Sequence, residues 1–460
     1  MKKFKSKRHK TTTPILERNL HPHAAGLDVS AREIVAAIPP EIGGETVRSF
    51  TTFTSGLHAL RDWLLENHIT TVAMESTGSF WIPCHGILEK AGIEVFLVNA
   101  RHVKGVPGKK TDVIDAQWLQ QLHAAGLLRK SFRPADDIVA LRSLLRHRSN
   151  LVADSSRQIQ LMQKALTEMN LHLHHVLSDL DGLSGMAIIN AILQGQRDPA
   201  TLAALCHARC RTPKAQIIEA LRGDYRPEHI FVLKQCHQTH GRLLEQIAEL
   251  DLEIQTHLQS VSSPLPPPPN DFKATKSLNS HKTHSGDLIF KQALRFYGVD
   301  LSTVDGISAA ALSTLMGELG TGTQILKSFP TPERFCSWLG LCPDNRISGG
   351  KILKASTRKV ANKVAAVLRL CSLALGRSHS KLGDFCRKMK ARLGKAEGIT
   401  ATAHKLARIL YAMIKTKLPF DESLAFKTTP QKEARRLKHL FAQAKNLGFD
   451  LVPNQQHVTC

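Results

Sequence analysis

Over the first 135 residues the apolar positions switch between short continuous runs and runs spaced three or four apart; beyond them the helical spacing dominates. Ala24-Ala25-Gly26-Leu27-Asp28-Val29-Ser30 is a short apolar strand with an acid near its end, and Glu33-Ile34-Val35-Ala36-Ala37-Ile38-Pro39 follows as a second. Arg48-Ser49-Phe50-Thr51-Thr52 makes a third. Leu57, Leu60, Leu64 and Leu65 have helical spacing between about Ser55 and Asn67, with Ser55 placed as N-cap. Thr70-Thr71-Val72-Ala73-Met74-Glu75 is then a buried strand closing on an acid. Residues 80–91 predict a helix, residues 93–98 a strand, and Lys110-Thr111-Asp112-Val113-Ile114-Asp115 the opening of another helix.

This pattern is three meandering strands, then helix, strand, helix, strand, helix, with acids on the first strand, the fourth strand and the last helix. It is the layout of a ribonuclease H-like (RuvC-like) α/β domain, assigned to residues 21–135. Asp112 and Asp115 stand at i and i+3 and share a helical face. Asp28, Glu75, Asp112 and Asp115 are therefore candidate catalytic and metal-ligating residues. Mg²⁺ prefers hard oxygen ligands, and two ions flanking one phosphate need several carboxylates. The same acids have a structural reading, in which Glu75 caps a helix, Asp112 answers a helix dipole and Asp28 is a turn residue.

Charge extends the picture. The chain has 62 Lys and Arg against 39 Asp and Glu, a net +23 with histidines neutral, which points to a polyanionic partner. Aromatics make up only 5%, which favours backbone and shape recognition over base stacking. At 460 residues and 42% hydrophobic content the chain has material for two or three cores, with no apolar run of membrane-spanning length. Residues 1–20 read as a basic arm without the apolar core of a secretory signal. Nine cysteines then suggest free thiols in a reducing cytoplasm. Cys206, Cys210, Cys236 and His240 have spacing that would suit Zn²⁺, but their setting favours apolar packing. His172, His174 and His175 are expected to point in different directions.

Residues 136–261 predict a long helical, coiled-coil region. One helix opens near Leu141 and runs toward Asn170, marked by Leu144, Leu151, Ile159, Leu161 and Leu166. A second runs from about Pro227 to Leu258, with Leu233, Leu243, Leu244, Ile247, Leu250 and Ile254 near heptad spacing. Arg142, Arg146, Arg148 and Arg157 offer a basic face for nucleic acid, or simply a solvated surface. Residues 262–285, with a Pro-rich start, read as a linker. A mainly α-helical domain follows at 286–422, and residues 423–460 form a peripheral helix and tail. Val304-Asp305-Gly306-Ile307-Ser308-Ala309 is similar to a helix-hairpin-helix phosphate-binding turn.

Gly-Leu-Asp28-Val-Ser, Met-Glu75-Ser-Thr-Gly-Ser-Phe-Trp and Lys-Thr-Asp112-Val-Ile-Asp115-Ala resemble the DEDD transposases of the insertion sequence 110 family, in its 1111-type subgroup. The resemblance continues through residues 173–179, Phe335-Cys336-Ser337-Trp338-Leu339-Gly340-Leu341-Cys342-Pro343 and residues 400–408. It implies a C-terminal transposase domain with a catalytic serine, guidance by a structured bridge RNA, donor and target DNA as partners, and a homo-oligomer whose site is completed in trans. The family's serine falls after the Gly-Leu-x-Pro turn, in Asp344-Asn345-Arg346-Ile347-Ser348-Gly349-Gly350-Lys351-Ile352-Leu353-Lys354, and Ser348 matches it. Spacing alone would make Ser-Gly-Gly an ordinary turn. Arg346, Lys351 and Lys354 would offset phosphate charge beside it, and Arg358, Lys359, Lys363, Lys405 and Arg408 add basic helical faces. Many relatives have Lys-x-Gly-Asn after the serine. Here Lys354-Ala355-Ser356-Thr357-Arg358-Lys359 stands there, so Ser356 is a rival nucleophile, read instead as the N-cap of a helix through about Leu375. The implied activity is Mg²⁺-dependent DNA recombination. A junction endonuclease using water and a non-catalytic nucleic-acid-binding protein are the alternatives.

Overall fold

The computed structural model describes residues 19–76, 78–99, 111–261, 265, 286–354, 356–358, 360–426 and 430–451. The chain divides into two compact units, Met1–Arg133 and Pro134–Cys460.

In the first unit, β1 (Ala24–Val29), β2 (Glu33–Ala37) and β3 (Val47–Thr51) form an antiparallel meander, followed by α1 (Thr54–Glu66). β4 (Thr71–Glu75), α2 (Trp81–Lys90), β5 (Glu94–Val98) and α3 (Asp112–Ala124) complete the unit. The strand order is β3-β2-β1-β4-β5, with β4 parallel to both β1 and β5. Alternation along β1 sorts its side chains to two faces. Ala25, Leu27 and Val29 join Leu57, Leu60 and Leu64 of α1 and Leu88 of α2 in one core. On the other face Val35 and Ala37 of β2 cluster with Ala116 of α3, while Ala73 and Val98 cluster with Leu119 and Leu122. The sheet thus lies between two helical layers, a ribonuclease H-like α/β arrangement. The helix read from Ser55 begins one residue earlier, at Thr54, and its N-cap position is held by Phe53 without a side-chain cap.

The second unit opens on α4 (Asp136–Glu168), followed by α5 (Leu173–Val176), α6 (Leu183–Leu193), α7 (Pro199–Ala204), α8 (Lys214–Ala220) and α9 (Pro227–Ser260). The long α4 and α9 lie antiparallel. His257 Nε2 meets the Asp137 carbonyl at 2.8 Å, Ser155 Oγ meets His240 Nδ1 at 3.1 Å, and His229 Nδ1 meets Glu168 at 3.3 Å. Along α9 the buried seam is Leu233, Cys236, His240, Ile247, Ile254 and Leu258, whereas Leu244, read as a seam residue, is 50% exposed. His240, a polar residue that hydrophobic spacing does not mark, lies in the seam, where it is hydrogen-bonded to the Ser155 hydroxyl.

The chain then forms α10 (Gly286–Tyr297), α11 (Ala309–Leu319), α12 (Gly322–Ser328), α13 (Pro332–Trp338), a hairpin of β6 (Arg346–Ser348) and β7 (Lys351–Lys354), and α14 (Lys363–Leu375). It closes with α15 (Lys381–Leu393), α16 (Lys395–Thr416), α17 (Glu422–Ala425) and α18 (Pro430–Asn446). Ser356 is not the N-cap of α14. That role falls to Asn362, whose side chain accepts from Ala365 N at 3.0 Å, while the Ser356 carbonyl accepts from Asp344 N. The glycine of the Val304–Ile307 turn has φ +83°, and a Cβ on it would lie 2.9 Å from the Cys371 carbonyl of α14. Packing of this turn on α14 therefore demands the glycine. Ser308 caps α11 by accepting from Ala311 N at 3.3 Å.

Candidate active site and nucleic-acid faces

Two registers between α3 and the sheet bring the four acids to one end of the first unit. In the first, Gln120 Nε2 donates to the Ala24 carbonyl at 3.3 Å, and Gly26 lies under Ala116 so closely that a Cβ would meet the Ala116 carbonyl at 2.2 Å. Four residues of strand from Ala24 to Asp28 advance about 13 Å. Eight residues of helix from Gln120 back to Asp112 advance about 12 Å, so Asp112 comes level with Asp28. In the second register the Thr71 hydroxyl donates to the Glu94 carbonyl at 3.1 Å and so accepts from His123 Nε2 at 2.9 Å. Ala73 clusters with Leu119. The same arithmetic from Thr71 to Glu75 and from His123 back to Asp115 brings Asp115 level with Glu75.

The sheet adds the cross link. Leu27 pairs with Met74 in the parallel β1–β4 ladder, so Asp28 and Glu75, the next residues on each strand, stand side by side on the α3 face. Asp28, Glu75 and Asp115 are half-buried and Asp112 is exposed. Thr111 caps α3 by accepting from Ile114 N at 3.3 Å, which holds Asp112 and Asp115 in the first turn. Beyond Glu75, Ser76 is tied to β5, its N and Oγ both donating to the Val98 carbonyl. Burial, and then the charge of His21, lowers His123 to about 4, so the imidazole in the second register is neutral. Gln120 and His123 escaped the sequence reading because polar helical residues look like solvent-facing ones. The detectable signal was their offset of eight from Asp112 and Asp115, which keeps all four on one broad face of the helix.

A set of four carboxylates at one sheet end is the hard-oxygen donor chemistry that suits a divalent cation such as Mg²⁺. Ligand atoms of these acids do not gather into a tight cage: among the described residues, the group of three or more His, Cys, Asp or Glu with ligand atoms all within 4.8 Å is His172, His174 and His175. These histidines converge, contrary to the expectation that they point apart. Cys206, Cys210 and Cys236 pack in the apolar cluster of α4 to α9.

In the second unit Ser348 ends β6 and pairs with Lys351 across a two-residue loop. Gly349 and Gly350 have φ +54° and +72°, the pair of left-handed residues that a type I′ hairpin turn requires. Ser348 and Lys351 are exposed at the tip of this ribbon, next to Ile347, which is 62% exposed. Arg346 and Lys354 are placed by their backbone in β6 and β7, and Lys359 lies outside the described residues.

The basic candidates fall into two groups. Arg142 donates to the carbonyls of Gly317 (3.1 Å) and Glu318 (2.8 Å), and Arg146 forks onto the Glu318 carboxylate at 2.8 and 2.9 Å. Arg148 engages Asp251 of α9 at 2.5 and 3.0 Å. Lys405 donates to the Ala425 carbonyl at 2.8 Å and lies over Phe426, Arg408 pairs with Glu333 at 2.8 Å, and Arg358 donates to the Ser337 carbonyl. Arg157, Lys351 and Lys363 are exposed.

A sheet of this order, with carboxylates on its first and fourth strands and on the helix behind them, defines the ribonuclease H-like class of nucleic-acid-processing domains. Residues 25–171 match the DEDD-type IS110 transposase family, and residues 300–386 match the transposase family described as IS116/IS110/IS902. The two matches support an IS110-family transposase, a DNA-processing enzyme whose substrate is DNA. One covers the four acids and the other covers Ser348. No curated protein matches the chain. No helix among the described residues is long and apolar enough to cross a membrane.

Proposed function

We propose that this chain is the recombinase of an insertion sequence, cutting and exchanging donor and target DNA strands under the guidance of a bridge RNA, with Asp28, Glu75, Asp112 and Asp115 holding two Mg²⁺ ions and Ser348 as nucleophile. The observation that carries it is the double register of α3 on the sheet, which brings four carboxylates to one end. When bound, such ions supply Lewis acidity to the attacked phosphate and ease deprotonation of the attacking oxygen. The protein residues do the rest. Ser348 Oγ loses its proton and bonds to phosphorus, the phosphorus–oxygen bond to the leaving sugar breaks, and the freed sugar hydroxyl takes up a proton. The bond energy is kept in the phosphoserine, so rejoining needs no nucleotide triphosphate. The I′ turn holds Ser348 beside Lys351, and the two glycines let backbone approach a phosphate closely.

Exposed Arg157, Lys351 and Lys363 are the candidates for direct phosphate contact, with Arg346 and Lys354 on the strands of the serine hairpin. Arg142, Arg146 and Arg148 serve first as braces within the second unit. A homo-oligomer acting in the bacterial cytoplasm, with the acids of one protomer serving the serine of another, agrees with the need to hold two DNA duplexes at once. The test is strand cleavage of junction DNA by purified protein with the element-derived RNA and Mg²⁺. Asp112→Asn is expected to lower cleavage about 100-fold or more. Equal cleavage by both proteins would remove the acids from the chemistry.

A further inference from the structure

At the end of α4 the chain turns on Asn170, whose φ is +59°. Asparagine tolerates this left-handed conformation better than most residues, and its side chain is also put to use. Asn170 Oδ1 accepts from His172 Nε2 at 2.9 Å, so the His172 proton sits on Nε2 and the lone pair on Nδ1. That Nδ1 is buried and has no hydrogen-bond partner. The four-residue α5 then brings two more imidazoles beside the His172 ring. His172 and His175 stack with ring centroids 5.1 Å apart, His174 and His175 lie 4.2 Å apart, and one ring nitrogen from each of the three falls within 4.8 Å of the others. His172 and His174 are half-buried and His175 is exposed, so the cluster opens to solvent on one side.

We propose that His172 through Nδ1, together with His174 and His175, binds one transition-metal cation of the zinc type, with Asn170 orienting the His172 ring and solvent completing the coordination. A buried nitrogen without a partner is destabilising, and a cation bound to its lone pair removes that cost. Zinc–nitrogen bonds of about 2.0–2.1 Å need the three nitrogens about 3.3 Å apart, so binding requires the stacked His172 and His175 rings to turn out of parallel and converge on the ion. Imidazole selects zinc, cobalt, nickel or copper over magnesium, so this site is chemically distinct from the carboxylates of the first unit. The Asn170–His172 bond is the outer-sphere support that metal-binding histidines commonly have. All ligands lie within four residues, where His172 N also donates to the Ala220 carbonyl of α8 at 2.9 Å. The cation would therefore pin the junction of α4, α5 and α8.

The experiment is a titration of tag-free, full-length protein with Co²⁺ while excess Mg²⁺ occupies the carboxylates, read by visible d–d absorption. One equivalent is expected to produce the band, and Zn²⁺ to abolish it. His174→Gln with His175→Gln is expected to remove the band, and Asn170→Gly, which keeps the left-handed turn, to weaken binding about tenfold or more. Circular dichroism on each variant verifies the fold. Absence of any band in the wild type, or an unchanged band in the double variant, would overturn the proposal.

Discussion

Gly26 carries more of the site's geometry than its lack of a side chain suggests. A Cβ there would lie 2.2 Å from the Ala116 carbonyl and 2.3 Å from Gln120 N, both backbone atoms of α3. Gly26→Ala should push α3 off the sheet, destabilise the first unit by about 1–3 kcal/mol and abolish cleavage with all four acids intact. Thermal melting and the cleavage assay on this variant check both halves. His123 makes a pH prediction. Its folded pKa of about 4 lies below the ordinary 6.5, so the unfolded chain binds the extra proton. Stability present above pH 6.5 is lost as pH falls toward 4, by on the order of 3 kcal/mol. His123→Leu should show a shallower acid slope in melting temperature than the wild type; parallel slopes would reject the assignment. The acids were legible as candidates because Asp28 and Glu75 stand at the ends of apolar strands while Asp112 and Asp115 share the first turn of a helix. What holds them level was not, since a glycine in a strand and a glutamine and a histidine on a helix have many commoner explanations.

Among the elements, α4 shows how a basic helix face divides its work. Arg146 forks onto the Glu318 carboxylate and Arg142 Nε lies 3.3 Å from it, and because Glu318 is 9% exposed, removing either arginine leaves a buried carboxylate partly uncompensated. Arg142→Ala is expected to cost about 2–3 kcal/mol, more than the half-exposed Arg146→Ala at about 1 kcal/mol. Neither should change the salt dependence of DNA binding by much. Arg157→Ala should do the opposite, leaving stability alone and reducing the slope of log affinity against log salt by about 0.7–0.9. Melting curves and binding isotherms at several salt concentrations separate the two roles. The two long helices and the succession of strands along the chain were readable from periodicity, whereas partners between elements were not. Ser356 looked like a cap because serine caps helices, but Asn362, seven residues before Arg369, has an equally good capping side chain and the fold uses it.

At the scale of the molecule, the proposed scheme joins the four carboxylates, the serine hairpin and a net charge of +23. In that scheme positive charge would gather polyanions, the carboxylates would hold divalent cations at the phosphate, and the serine hydroxyl would make the reaction a transfer rather than a hydrolysis. The sheet's layout was visible in the order of apolar runs. The serine was not visible from spacing, because a Ser-Gly-Gly turn is ordinary and only its resemblance to relatives distinguishes it. The most direct measurement is denaturing-gel detection of a covalent protein–DNA adduct with Mg²⁺, element-derived RNA and junction DNA, comparing wild type with Ser348→Ala and Ser356→Ala. The expected result is an adduct formed by the wild type and Ser356→Ala and lost in Ser348→Ala. Free cleaved DNA from all three proteins, with no adduct, would contradict serine attack and show that water is the nucleophile.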